Sequence, residues 1–102
     1  MKQAKLKISP GQVEAFCKKW GIEEFSLFGS ALRDDFAADS DVDVLISLLP
    51  GHSMTLEAYL DMRDELSVMF GGREVDLVQK RLLKNPFRRS EILANREVIY
   101  AA

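Results

Sequence analysis

Residues 28–46 read FGSALRDDFAADSDVDVLI: a Gly-Ser pair, ten further residues, then Asp-Val-Asp running straight into the apolar Val44-Leu45-Ile46. Three consecutive apolar residues predict a strand over 43–48 that is buried on both faces, and Pro50-Gly51 ends it. In a strand, residues i and i+2 share a face, so Asp41 and Asp43 set two carboxylates side by side. Alone they repel, and one resists ionising. A hard divalent cation removes the conflict, and Mg²⁺ in particular takes one or two carboxylates and completes its octahedron with substrate phosphate oxygens.

Gly29-Ser30 fits the same chemistry. Glycine lets a backbone approach a phosphate closely, and a turn opening a helix aims N–H groups and the Ser hydroxyl at an anion. Asp76 lies in EVDLVQ, 74–79, which predicts another short strand with Val75 and Leu77 facing away from it. Its carboxylate could be a shared metal ligand or a base for an incoming hydroxyl. Each of these features also has a plain structural reading, as a turn or a hydrated strand end. Their coincidence carries the weight.

Outward from this stretch, Ser9-Pro10-Gly11-Gln12 predicts a helix start with a Ser cap, Pro at the first helical position and Gln closing a capping box. That helix runs to Trp20 and stops at Gly21, and residues 24–28 form a short strand. From about 53 to 70, Leu56, Tyr59, Leu60, Leu66, Met69 and Phe70 keep a helical stripe that Gly71-Gly72 closes. Asn85-Pro86 caps a last helix with Ile92, Leu93, Ile99 and Tyr100 on one stripe. The expected order is α-β-α-β-α-β-α, the second helix being the short turn after Gly29. That is the order of an α/β (α+β) domain. No internal repeat or low-complexity segment occurs.

The 102 residues are 47% hydrophobic and 29% charged, the balance of a folding globular chain, and are expected to form one domain, 1–102. No apolar run is long enough to span a bilayer, and MKQAKLKISP has lysines without a signal-peptide core, so a cytoplasmic location is expected. Cys17, the only cysteine, recurs at helical spacing with Val13, Phe16 and Trp20 and reads as core filling, which leaves no intrachain disulfide or cysteine cluster. His52, the only histidine, reads as a loop residue. DSDVDV opens like a calcium loop, but Val44 stands where the turn glycine is needed and Pro50 where the bidentate Glu belongs. Walker and Gly-rich dinucleotide sequences are missing.

Gly29-Ser30, the ten-residue gap, Asp41-Val42-Asp43 and the later Asp76 resemble the motif of the DNA polymerase beta-like nucleotidyltransferase superfamily, specifically its minimal nucleotidyltransferases. The resemblance covers nearly the whole chain and implies the nucleotidyltransferase fold, a small mixed β-sheet flanked by helices. It implies Mg²⁺, as two ions, at Asp41, Asp43 and Asp76, which are also the catalytic positions, and ATP as substrate, its phosphates held by Gly29 and Ser30. It further implies an antitoxin that transfers AMP to a tyrosine of a HEPN-domain ribonuclease toxin, in a hetero-oligomer. No membrane partner and no stable nucleic-acid binding are expected. A second domain that would choose an acceptor, as in larger relatives, is not found.

Two other functions compete: a binding antitoxin that blocks its partner without catalysis, and a small-molecule nucleotidyltransferase, for which 102 residues leave little room to form an acceptor pocket. Arg33 either pairs with the triphosphate or braces Asp34-Asp35. Met54, Met62, Val68 and Val98 lie off the main stripes, as a contact surface or as second-layer packing. Net charge is −2, yet residues 34–65 hold nine acidic residues against one basic, and 73–96 seven basic against three acidic. These are either solvated helix faces or an acidic centre beside a basic wall that includes Lys84, Arg88 and Arg89.

Overall fold

The computed structural model describes residues 6, 8–33, 36, 37 and 39–102; Asp34 and Asp35 lie outside the described residues. Helix α1 (Pro10–Trp20) opens with Pro at its first turn, where a missing N–H is harmless. Ser9 takes the cap position, but its hydroxyl makes no capping bond, so the capping box expected with Gln12 does not form. Both residues are exposed, and water can serve the first N–H groups of the helix. Gly21 ends α1 in the left-handed conformation at φ 69°, its N–H donating to the Cys17 carbonyl. The His52 ring lies over it: a Cβ at Gly21 would come within 2.3 Å of Nδ1.

Strand β1 (Ile22–Phe28) leads into a 3₁₀ turn, Gly29–Leu32, and the chain returns as β2 (Val42–Leu48). Helix α2 (Leu56–Met69) starts behind Thr55, whose Oγ1 accepts from the Ala58 N–H at 3.0 Å. Strand β3 (Val75–Gln79), a second 3₁₀ turn at Lys80–Leu82, helix α3 (Pro86–Ala94) and strand β4 (Glu97–Ala101) complete the order.

The last segment corrects the sequence-based expectation. Ile99 and Tyr100 do not continue the helical stripe of Ile92 and Leu93 but belong to β4. Two forces decide this. Asn95 ends α3, its side-chain amide donating to the Glu91 carbonyl at 3.0 Å, and Val98-Ile99-Tyr100 is a β-branched and aromatic run that suits a strand. The otherwise open side of β1 then gains its ladder, reinforced by an Arg96–Glu24 ion pair and by the Ala102 N–H to the Glu23 carbonyl at 2.8 Å.

The sheet order is β3-β2-β1-β4, with β1 antiparallel to both neighbours and β2 parallel to β3. A parallel pair needs a crossover, and α2 supplies it. Alternation divides the side chains between two faces. Val42, Val44 and Ile46 join Phe25, Leu27, Leu77 and residues of α1 and α2 in one core; Leu45 and Phe28 join Leu83 and Ile92 in a smaller one beneath α3. Val44, Leu45 and Ile46 are thus buried on both faces, as the sequence predicts. Asp43 and Asp76, each two residues from a member of the smaller cluster, point to the α3 face.

Cys17 is a core residue, and burial pushes its thiol up to about 12. Of the four residues off the main stripes, Met62 is fully buried core, Met54 packs against that core, and Val68 and Val98 are exposed. Among the described residues no helix is long and apolar enough to cross a membrane.

Met62 is 1% exposed and Val68, on the same helix, 80%. Met62→Ala is expected to lower the unfolding free energy by about 2–5 kcal/mol and Val68→Ala to change it by less than about 0.5 kcal/mol. Denaturant titrations of the two variants check this; equal effects would refute the assignment of α2's buried face.

Candidate active site

Phe28, Asp43 and Asp76 stand abreast: Phe28 pairs with Asp43 across β1 and β2, and Asp43 with Asp76 across β2 and β3. Directly after Phe28 the chain leaves the sheet through Gly29 at φ 65°, in the left-handed region. Glycine is needed there twice over. A side chain would strain that backbone, and its Cβ would fall 2.2 Å from Asp43 Oδ2. The turn thereby brings the Ser30 N–H to 3.2 Å from the same oxygen. The Ser30 hydroxyl donates to the Asp41 carbonyl at 2.5 Å and also lies 3.5 Å from Asp43 Oδ2. Ser30's donors therefore face aspartates rather than open space.

Asp43 is half-buried, while Asp41, just before β2, and Asp76 are exposed. Burial pushes the Asp43 carboxyl up from its ordinary value, the Ser30 N–H opposes this, and the charges of Asp76 and then Asp41 push it further up. Three carboxylates thus feel one another. Among the described residues, however, no three acidic, histidine or cysteine side chains form a ready metal cage. The donor set still fits a hard cation. All donors are carboxylate oxygens, Asp43 is destabilised by its like-charged neighbours, and Mg²⁺ needs only one or two such ligands when phosphate oxygens supply others. Asp41, Asp43 and Asp76 are the residues that would hold it.

The carboxylates open onto a cleft of about 670 Å³ between the sheet end and α3, within the range of small-molecule sites. Gly29, Arg33, Asp43 and Asp76 line it on one side and Phe87 and Arg88 on the other; Ser30 and Asp41 do not line it. Arg33 follows the 3₁₀ turn and is exposed on the rim; the alternative that it braces Asp34-Asp35 falls outside the described residues. Arg88 adds a second cation. Arg89, expected in the basic wall, is instead a strut: its guanidinium donates to the Lys80 carbonyl at 3.0 Å.

Some supporting residues escape sequence reasoning. Arg73, just past the Gly71-Gly72 turn, donates from Nη1 to the carbonyls of Ala37 at 2.8 Å and Ser40 at 3.0 Å, and its guanidinium lies 4.3 Å over the Phe36 ring. It straps the loop that delivers Asp41 and so acts as a positioning residue. Phe87 also escapes notice, because one aromatic in a helical segment reads as core. Asn85 caps α3 as expected, but its presence in the cleft lining has no local signal.

A sequence profile described as nucleotidyltransferase domain matches residues 10–99. The protein adenylyltransferase MntA of Thermococcus cleftensis is 33% identical over 85 residues, which span 81% of this chain and 78% of that protein. A solved structure assigned as a minimal nucleotidyltransferase superposes with a TM-score of 0.69 at 30% identity, covering 86% of each chain. A toxin-antitoxin structure with AMP-PNP superposes with a TM-score of 0.74 at 14% identity, covering 93% of this chain and 75% of that one; at such identity the likeness is of fold.

The geometry makes two expectations about stability. Gly29→Ala should lower the unfolding free energy by at least about 1–2 kcal/mol, the cost of a left-handed non-glycine residue alone, as read by denaturant titration; an unchanged value would show that the corner relaxes freely. For Asp43 the folded state favours the neutral carboxyl. The stability tied to that form is complete below the unfolded value and lost as pH rises through the folded one. At neutral pH without metal, Asp43→Asn should therefore melt at the same or a higher temperature than the parent, and a clear drop would mean that the charge itself is structural.

Proposed function

We propose, from the premise that this chain belongs to the nucleotidyltransferase domain family, that it is a Mg²⁺-dependent antitoxin that transfers AMP from ATP to a tyrosine hydroxyl of a HEPN-type ribonuclease toxin. The observation that carries the reading is the register of the sheet: Asp43 and Asp76 are direct partners, and the Gly29-Ser30 corner closes on Asp43 at the floor of one cleft. Two relatives support the choice of nucleotide and partner. One bears the name of a protein adenylyltransferase, and a structure of the same fold is a toxin-antitoxin with AMP-PNP. The proposed protein is cytoplasmic and acts as one minimal domain within a hetero-oligomer.

In this reading Asp41, Asp43 and Asp76 hold the cation pair. Bound Mg²⁺ neutralises the charge that develops on the phosphates and on the leaving pyrophosphate. Ser30 exchanges its Asp43 partner for a phosphate oxygen, Gly29 keeps the backbone low enough for the phosphate chain to pass, and Arg33 pairs with the triphosphate. The tyrosine oxygen forms a bond to the α-phosphorus, the bond from that phosphorus to the β-phosphate bridging oxygen breaks, and pyrophosphate leaves. The hydroxyl proton passes to a carboxylate. Asp76, which is exposed and also lines the cleft, is the one assigned to the partner's hydroxyl. An added AMP near a ribonuclease site would repel RNA phosphates.

The experiment is intact mass spectrometry of the toxin after incubation with this protein, ATP and Mg²⁺. The reading expects a gain of one AMP or more, lost with the Asp41→Asn/Asp43→Asn double variant or with a chelator, and slowed by about 10²–10⁴-fold in Asp76→Ala. No mass gain, with equal neutralisation by the double variant, would decide for the non-catalytic antitoxin. Transfer to a small molecule but not to protein would decide for the remaining class.

A further inference from the structure

Phe87 is 85% exposed, the most exposed of the chain's large hydrophobic side chains among the described residues. The other five phenylalanines are buried or half-buried. A single exposed hydrophobic side chain is ordinary on a protein surface and says nothing by itself; the place of this one does. It lines the same cleft as Asp43 and Asp76.

Its position is fixed rather than floppy. Asn85 Oδ1 accepts from the backbone N–H of Phe87 at 2.9 Å and of Arg88 at 3.2 Å, which sets the first turn of α3. Ile92 anchors the same helix in the smaller core, and Arg89 ties it to the Lys80 carbonyl at 3.0 Å. Arg33 and Arg88 also line the cleft, and among the described residues neither guanidinium has an ion-pair partner. An acidic floor, two arginines and a presented aromatic ring together match a ligand with phosphates at one end and a flat ring at the other.

We propose that Phe87 is the nucleobase platform of this cleft: the base stacks on its face while the phosphates pass between Arg33 and Arg88 toward Asp43 and Asp76. This deepens the nucleotidyltransferase reading and rests on it. A phenyl face reads the presence of an aromatic base but not its edge, so the platform binds adenine and guanine nucleotides alike. Selection among bases is not its role.

The test is calorimetric titration of the full chain with Mg·ATP, Mg·GTP and Mg·tripolyphosphate, for the parent, Phe87→Ala and Phe87→Tyr. Phe87→Ala should weaken ATP and GTP by roughly 5- to 150-fold and leave tripolyphosphate within about twofold, with an unchanged melting temperature because the ring is outside the core. Phe87→Tyr should restore nucleotide affinity. Unchanged ATP binding by Phe87→Ala in a chain that does bind ATP overturns the platform and leaves the parent reading intact. So does an equal loss for nucleotide and tripolyphosphate. Unchanged nucleotide binding with weakened capture of the toxin assigns Phe87 to the partner interface. A parent chain that binds no nucleotide ends both readings.

Discussion

One half-buried carboxylate organises this molecule. Asp43 sits where three strands meet, paired with Phe28 on one side and Asp76 on the other, and its charge is opposed by burial and by two neighbouring aspartates. The Ser30 N–H offsets part of that cost, and only a glycine at position 29 lets the backbone come close enough to give it. The parallel β2–β3 pair brings Asp76 alongside, and a parallel pair demands the α2 crossover. That crossover fills the main core with Met62 and Leu66, ties Tyr59 to the Leu77 carbonyl at 3.1 Å, and returns the chain at Arg73 to strap the loop ahead of Asp41.

The opposite wall is built by different means. Helix α3 is short and amphipathic, anchored by Ile92 below and capped by Asn85 at its start. Its exposed Arg88 faces the carboxylates across the cleft, while Arg33 lies on their own side of it. The uneven charge along the chain, acidic in the middle and basic toward the end, is in part folded into the two walls of one site. Opposed fields in a cleft favour a ligand that carries both a cation for the floor and an anion for the rim. A metal-nucleotide complex is such a ligand.

How much of this was legible follows the range of the interactions. The strand through Val44-Leu45-Ile46, the Gly29 corner, the spacing to Asp41 and Asp43, and the placement of Asp76 on a further short strand are all set by local period and residue type, and they could be read; that this strand runs parallel beside β2 depends on long-range pairing. The strand β4 could not. Ile92, Leu93, Ile99 and Tyr100 repeat at an interval of seven that also suits a helix, and the β-branched and aromatic run at 98–100 is fixed as a strand by pairing with β1, at least 70 residues earlier. Arg73 was hidden for the same reason: its acceptors lie 33 and 36 residues away. Met62 looked peripheral because the expected stripe ran through Leu56 and Leu60, which are exposed; the face that α2 buries runs through Tyr59, Met62, Leu66 and Met69. Ser30's use of its donors on Asp41 and Asp43 was invisible because it depends on a corner bending back on itself.

The central claim is that the Asp43 edge is held in an unfavourable charge state that a cation and a nucleotide together relieve. The most direct measurement is a crystal structure of this protein grown with Mn²⁺ and a non-hydrolysable ATP analogue, in which anomalous scattering locates the metal. The account predicts metal against the carboxylates of Asp41, Asp43 and Asp76 with phosphate oxygens completing its shell, and the Ser30 N–H turned from Asp43 toward the nucleotide. Metal and nucleotide bound elsewhere, or a nucleotide in the cleft with Asp43 still bonded to Ser30 and no cation beside it, would contradict it.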